Sequence, residues 1–275
     1  MTTSWDAVLR RGRTGLVPLL MMLGAGQALA ANKADAEATV ASIDACMRAN
    51  IPPALQIKQF SLNSVDHSGA SRQMKGRLFA MRDEGLLRTM LRIDTPADLR
   101  GAAYLLREGK AQEQDAMYIF LPALNKVRRI MGGTQDSPLF GTDISYADIK
   151  QISHAFSGGA VELEAREKID GRDSYRLALK PDAEQQSHFS QIRTWVDRES
   201  CVALRAEFIA DNQVRKRYSA AAKDLRKSGS HWYVSKGTME DLGQHSHTEL
   251  SIDGVSGSDA LPDVYFNPRS FYLGN

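Results

Sequence analysis

Cysteine is scarce in this chain. Cys46 and Cys201 are the only two among 275 residues, which excludes a disulfide-dense scaffold and an all-cysteine metal site. Charge of one sign is scarce as well. Lys and Arg number 35 against 33 Asp and Glu, and the first thirty positions hold Arg10, Arg11 and Arg13 but only one acid, Asp6. The remainder is neutral, so the basic footprint of a nucleic-acid binder is missing. No stretch reaches the roughly 20 consecutive apolar residues that a membrane-spanning helix needs. Catalytic signatures are missing too: the sequence has no GxSxG elbow, no GxxxxGK[ST] phosphate loop, no HExxH and no CxxC. "GVSGS" at 254–258 has only the composition of a turn, because a nucleophile elbow needs a strand before it and a helix after it. The chain is read as a non-enzyme with no cofactor.

What is present begins with a leader. The three arginines precede the apolar run Leu16–Leu23, and small residues ending in Ala28-Leu29-Ala30 follow. That order is expected of a secretory signal peptide over residues 1–30, leaving 31–275 as one exported, soluble domain. In an oxidising compartment the two cysteines are expected to form one disulfide. It would close a loop of roughly 155 residues and contribute about 4 to 5 kcal/mol in the chain-entropy description. The alternative, a catalytic thiol, lacks a Cys-His signature at either position.

After the leader, "ADAEATVASIDACMRAN" is rich in helix formers. Ala36, Val40, Ile43 and Met47 recur at helical spacing, with Cys46 on the same side, and Asn50 and Pro52-Pro53 end the run. From Leu55 to about Gly257 the period becomes two. "SYRLALK" sets Tyr175, Leu177 and Leu179 against Ser174, Arg176 and Lys180, and "CVALRAEF" sets Val202, Leu204, Ala206 and Phe208 against Arg205 and Glu207. Turn-forming segments such as "RDEG", "IDGRD", "ADNQ" and "RKSGS" separate about a dozen such runs. The fold class is therefore mainly β: an antiparallel meander that must curl to hide its apolar face, giving an incomplete barrel wide enough to hold a ligand. "TPADLRG" and "DISYADI" break the alternation and are expected as short helices at the mouth. The aromatic tail "LPDVYFNPRSFYL" is expected to pack back on the sheet.

Two local clusters invite a functional reading. His245, His247 and Glu249 in "HSHTE" stand at i, i+2 and i+4, a spacing at which strand residues can share a metal. Leu250 and Ile252 mark the other face as the buried one, so the histidine row is read as the wet side of a strand, and no metal site is assigned. Lys126, Arg128 and Arg129, near Tyr118 and Phe120, resemble a stacking and phosphate platform. The chain's neutrality favours an ion pair with Asp143 or Asp148 instead, and no nucleic-acid partner is expected.

"YIFLPALNKVRRI" followed by "SPLFGTDISYADI" resembles the signature of the LolA-like outer-membrane lipoprotein-sorting family, in which a strand pair of the form YLPALxKVRRI precedes a GSDFSYEDL segment. "YRLALKP", "TWVDRESCVALRAEF" and the aromatic tail extend the likeness over most of the chain. Thr142 and Ile144 stand where the family often has serine and phenylalanine. The resemblance implies an incomplete β-barrel with its concave face covered by helices, and a periplasmic carrier for acyl chains or lipoproteins, in a branch whose members look like accessories of RND-type inner-membrane transporters. It also leaves open a second class, a periplasmic sensor or adaptor that binds a membrane protein without moving lipid. On the carrier reading, Tyr118, Phe120, Leu177, Leu179, Val202, Leu204, Phe208, Leu250 and Ile252 are expected to line the cavity. Arg128 and Arg129 are expected at its rim with Asp143, Tyr146 and Asp148, as a lid latch or a head-group site.

Overall fold

Alternating side chains and left-handed two-residue turns build most of the molecule. Glu84-Gly85, Asp170-Gly171 and Asp211-Asn212 all have positive φ at both positions, the backbone that matches a tight hairpin to the twist of its strands. The computed structural model describes residues 38–110, 113–152, 159–258 and 262–273; the expected leader lies outside them. A first meander comprises β1 (Gln56–Val65), β2 (Ser71–Asp83), β3 (Leu86–Thr95), β4 (Ala103–Arg107), β5 (Ala116–Leu121) and β6 (Lys126–Ile130). A second comprises β7 (Gly159–Ile169), β8 (Arg172–Pro181), β9 (Gln191–Asp197), β10 (Ala203–Ala210) and β11 (Gln213–Ser219). A small separate hairpin follows, β12 (Leu225–Ser228) with β13 (His231–Val234), and then β14 (Lys236–Asp241) and β15 (Ser246–Gly257).

The two meanders join through β15, which pairs antiparallel with β1 on one side and β14 on the other. The result is a 13-stranded sheet in the order β6-β5-β4-β3-β2-β1-β15-β14-β11-β10-β9-β8-β7. It is open: β6 and β7, neighbours in sequence, are its two edges. The incomplete barrel expected from the alternation is thus observed. The run from His231 to Met239 forms two strands in different sheets, β13 and β14, and the "RKSGS" turn closes the hairpin to β12.

The helix α1 (Val40–Ala49) starts at Thr39, whose hydroxyl accepts from the Ser42 N–H while the Ser42 hydroxyl accepts from the Thr39 N–H, a reciprocal cap. Its buried residues Ile43 and Met47 pack on Leu177, Val196 and Ala203. Cys46 sits at the exposed edge of that contact, not inside it, and is bonded to Cys201 with Cα atoms 5.7 Å apart. The C-terminal helix α3 (Pro262–Phe266) and residues after it cover the other face of the first meander. There Tyr265 stacks on Phe79 and Tyr272 on Phe120, with ring centroids 4.5 and 4.1 Å apart. The sheet is therefore dry on both sides over β3–β5, and every side chain of β4 except Arg107 is buried. "TPADLRG" is a turn rather than a helix.

Candidate functional site

The concave face holds the main apolar cluster, running from Phe60 and Leu62 on β1 through Leu91 and Tyr104 to Phe208, Tyr218 and Met239. Within it lies a cavity of about 90 Å³. Its walls are Lys58, Phe60 and Leu62 of β1, Leu78 and Ala80 of β2, Leu87 and Leu91 of β3, and Leu250 and Ile252 of β15. Thr194 of β9, Ala203, Ala206 and Phe208 of β10, Tyr218 of β11 and Met239 of β14 continue them. Asn50, Ile51 and Pro52, just after α1, and Tyr233 and Val234 of β13 also line it. The Asn50 side chain ties these two groups together, accepting from the Trp232 N–H at 2.8 Å and donating to the Ser200 carbonyl at 2.8 Å. Gly237 on β14 is needed here, because a Cβ at that position would lie 2.8 Å from the Tyr218 ring. Burial raises the Tyr218 hydroxyl above its ordinary pKa, so it stays neutral.

The chain between the two sheet edges forms the roof. Residues 137–147 fold into a narrow loop through the Pro138–Ser145 bridge, a Leu139 N–H to Ile144 carbonyl bond of 2.8 Å and positive φ at Phe140 and Gly141. The helix α2 (Asp148–Ile152) follows. Leu139, Ile144 and Ile149 project into the cavity from above. Three polar anchors hold this roof. The Asp143 carboxylate accepts from the hydroxyls of Ser246 at 2.5 Å and Thr248 at 2.6 Å on β15. Asp148, buried, accepts from the Ser145 N–H at 2.6 Å and from Lys216 of β11. Lys150 donates to Asp115 at 2.7 Å and lies 3.4 Å from Glu108. Glu108 in turn accepts two bonds of 2.9 Å from Arg48 of α1 and one of 2.8 Å from the Leu87 N–H. Burial opposes the charge on Glu108, yet Arg48, Lys150 and the Leu87 N–H hold its carboxyl below the ordinary range.

A water needs about 10 to 15 Å³ of such space, so 90 Å³ holds a few waters and not a full acyl chain. In this conformation Leu139, Ile144 and Ile149 of the roof are part of the cavity lining. Among the described residues no group of three or more His, Cys, Asp or Glu could hold a metal ion, and no helix is long and apolar enough to cross a membrane.

A family model described as that of an uncharacterized protein matches residues 85–272, more than half of the chain. Three solved structures share the fold. A protein of the DUF1329 family from Desulfovibrio piger is 21% identical with a TM-score of 0.73, covering 82% of this chain and 94% of that one. A domain named as an outer membrane lipoprotein-sorting protein, from Vibrio parahaemolyticus, is 21% identical with a TM-score of 0.74, over 84% and 97% of the two chains. A LolA superfamily protein from Nitrosomonas europaea is 18% identical with a TM-score of 0.63, over 84% and 98%. The chain belongs to the matched family, and its fold is LolA-like. No curated protein matches it.

On this LolA-like sheet, three of the expected lining residues, Phe208, Leu250 and Ile252, do line the cavity. The others do not. Tyr118 and Phe120 point to the opposite face, under Phe266, Phe271 and Tyr272 of the C-terminal segment. Leu177 is covered by α1, Leu179 is packed solid in the main cluster beside the cavity, and Val202 and Leu204 lie under the small hairpin with Leu225 and Trp232. For Tyr118, Phe120, Val202 and Leu204 the physical reason is common. Where both faces of a sheet are covered, alternation no longer tells inside from outside. A register shift between Ala203 and Arg205 adds to this by turning Ala203, not Leu204, toward the cavity.

The expected rim divides likewise. Asp143 and Asp148 are roof anchors as described, and Tyr146 is buried beside Tyr104, whose hydroxyl donates to the Tyr146 carbonyl at 2.9 Å. Arg128 and Arg129 are exposed on edge strand β6 and make no ion pair with Asp143 or Asp148. The cation that meets Asp148 is Lys216. Its signal in the sequence was faint: a lysine at a position where "QVRKRYS" alternates toward the buried face. Of the "HSHTE" residues, His245 has a left-handed φ of 56° and precedes β15, and Glu249 accepts from the Asn63 side chain at 3.2 Å.

Proposed function

We propose that this protein is a periplasmic carrier that takes an acyl chain, free or on a lipoprotein, into the trough beneath the 137–152 roof and conveys it toward the outer membrane without chemistry. Export by the leader at residues 1–30, a single domain over 31–275 and service to an RND-type inner-membrane transporter belong to the same reading. The observation that carries it is the concave apolar trough closed by a separate loop and helix that polar anchors hold down. A solid core has no need of such an arrangement. The energetics favour exchange of roof for cargo. Withdrawing Leu139, Ile144 and Ile149 from the trough forfeits about 1.5 to 3 kcal/mol for each. A sixteen-carbon chain buried at about 0.8 kcal/mol per CH2 returns about 12 kcal/mol, which exceeds that loss.

The test is direct. Protein purified from periplasm is expected to release acyl lipid on solvent extraction, identified by mass spectrometry, and to pass labelled lipid between vesicles. Absence of both bound and transferable lipid, together with stable co-purification of a membrane protein, would replace this reading with that of a sensor or adaptor.

A further inference from the structure

Only two charged side chains line the cavity among the described residues, Lys58 and Asp148. Asp148 is neutralised by Lys216. Lys58 has no carboxylate within 4.0 Å and no hydrogen-bond partner among the described residues; its one recorded contact is the Tyr233 ring, 5.3 Å from Nζ to centroid. Every other cation of low exposure near the trough is paired: Lys150 with Asp115 and Glu108, Lys216 with Asp148, Arg48 with Glu108 and Asp44. Lys58, half-buried, is thus the one charged group on the cavity lining without a counter-charge among the described residues. Its surroundings lower the ammonium pKa to about 8 through loss of hydration. In register it lies between Leu78 of β2 and Val255 of β15, an apolar setting that supplies no counter-charge.

The position is as informative as the missing partner. Lys58, Phe60 and Leu62 follow one another along the cavity side of β1, spanning about 13 Å at strand rise. Lys58 stands beside the Tyr233 ring at one end of this row, and Phe60 and Leu62 run on beside Ile252 and Leu250. A molecule with a single negative charge at one end of an apolar chain would match that sequence of groups: charge on Lys58, chain along β1. A neutral lipid would leave the ammonium unpaired and further desolvated, and is selected against.

Resting on the carrier reading, we infer that the trough selects acyl amphiphiles with one anionic head, a carboxylate or a phosphate, and that Lys58 pairs with that head. The probes are oleate and oleoyl lysophosphatidic acid, compared with uncharged oleyl alcohol, titrated into the full chain against a displaced fluorescent fatty alcohol. Both anions are expected to bind about tenfold or more tightly than the alcohol, the difference that one desolvated ion pair supplies. Lys58→Met keeps the length of the stem and is expected to abolish the preference, the alcohol then binding at least as tightly as the anions; Lys58→Arg is expected to retain it. A preference for only one of the anions names the head group. An unchanged preference in Lys58→Met, or equal binding of all three probes to the native chain, overturns the assignment while leaving the carrier reading in place. Failure of every probe to bind overturns both.

Discussion

Glu108 is the residue on which three separate parts of the chain converge: Arg48 from α1, Lys150 from α2 and the backbone N–H of Leu87 in β3. Replacing it by glutamine leaves half-buried Arg48 and buried Lys150 with only their second carboxylates, Asp44 and Asp115, a change expected to cost about 2 kcal/mol at pH 7. The pH dependence follows from the sign of the shift. A carboxyl held below its ordinary value of 4.5 contributes stability that is complete above that value. The contribution is lost as pH falls through the depressed folded-state value. Urea unfolding of native and Glu108→Gln protein is therefore expected to show a wide gap at pH 7 that narrows once the medium is acid enough to protonate the native carboxyl. A gap independent of pH would show that Glu108 acts through packing and not through its charge.

At the scale of elements, α1 is short, ten residues, and buries only Ile43 and Met47, too little for a helix of that length to hold its place unaided. The Cys46–Cys201 bond fastens it to the loop before β10 across a sequence separation of 155. Thiol titration of the unfolded, unreduced protein is expected to find no free cysteine, and reduction is expected to lower stability by about 4 to 5 kcal/mol. Two titratable thiols, or no loss on reduction, would contradict this. Elements of this kind were legible from the sequence: helix spacing with Asn50 as a stop, "RDEG", "IDGRD" and "ADNQ" as hairpins, and alternation through β7–β11. What was not legible is instructive. Phe120 and Phe208 sit in equally apolar strands, yet one faces the C-terminal tail and the other the cavity, because an aromatic segment more than 140 residues downstream of Phe120 decides which face is covered. Lys58 and Lys216 carry little signal of their own, because a lysine in an alternating strand reads as solvated. Only the tertiary placement of Asp148 beside one, and of no acid beside the other, separates them.

The described strands form one open sheet whose first and second halves meet at the β1–β15 pair, with its two margins, β6 and β7, left unpaired to each other. The roof belongs to the stretch of chain that follows β6, and its anchors are on β15, on β11 and at Asp115 just before β5. Cargo that displaces Leu139, Ile144 and Ile149 is therefore expected to push the margins apart. Spin labels at Arg128 on β6 and Glu162 on β7, both exposed, are expected to report a longer separation after loading with oleate than before; an identical distance distribution would exclude it. A closed barrel has its bore fixed by strand number and stagger, and widening it means breaking rungs of the ladder. Here the circumference is a free dimension. On the proposed carrier reading, tails of different bulk are expected to be fitted by a change of girth, with every backbone pair in the sheet intact.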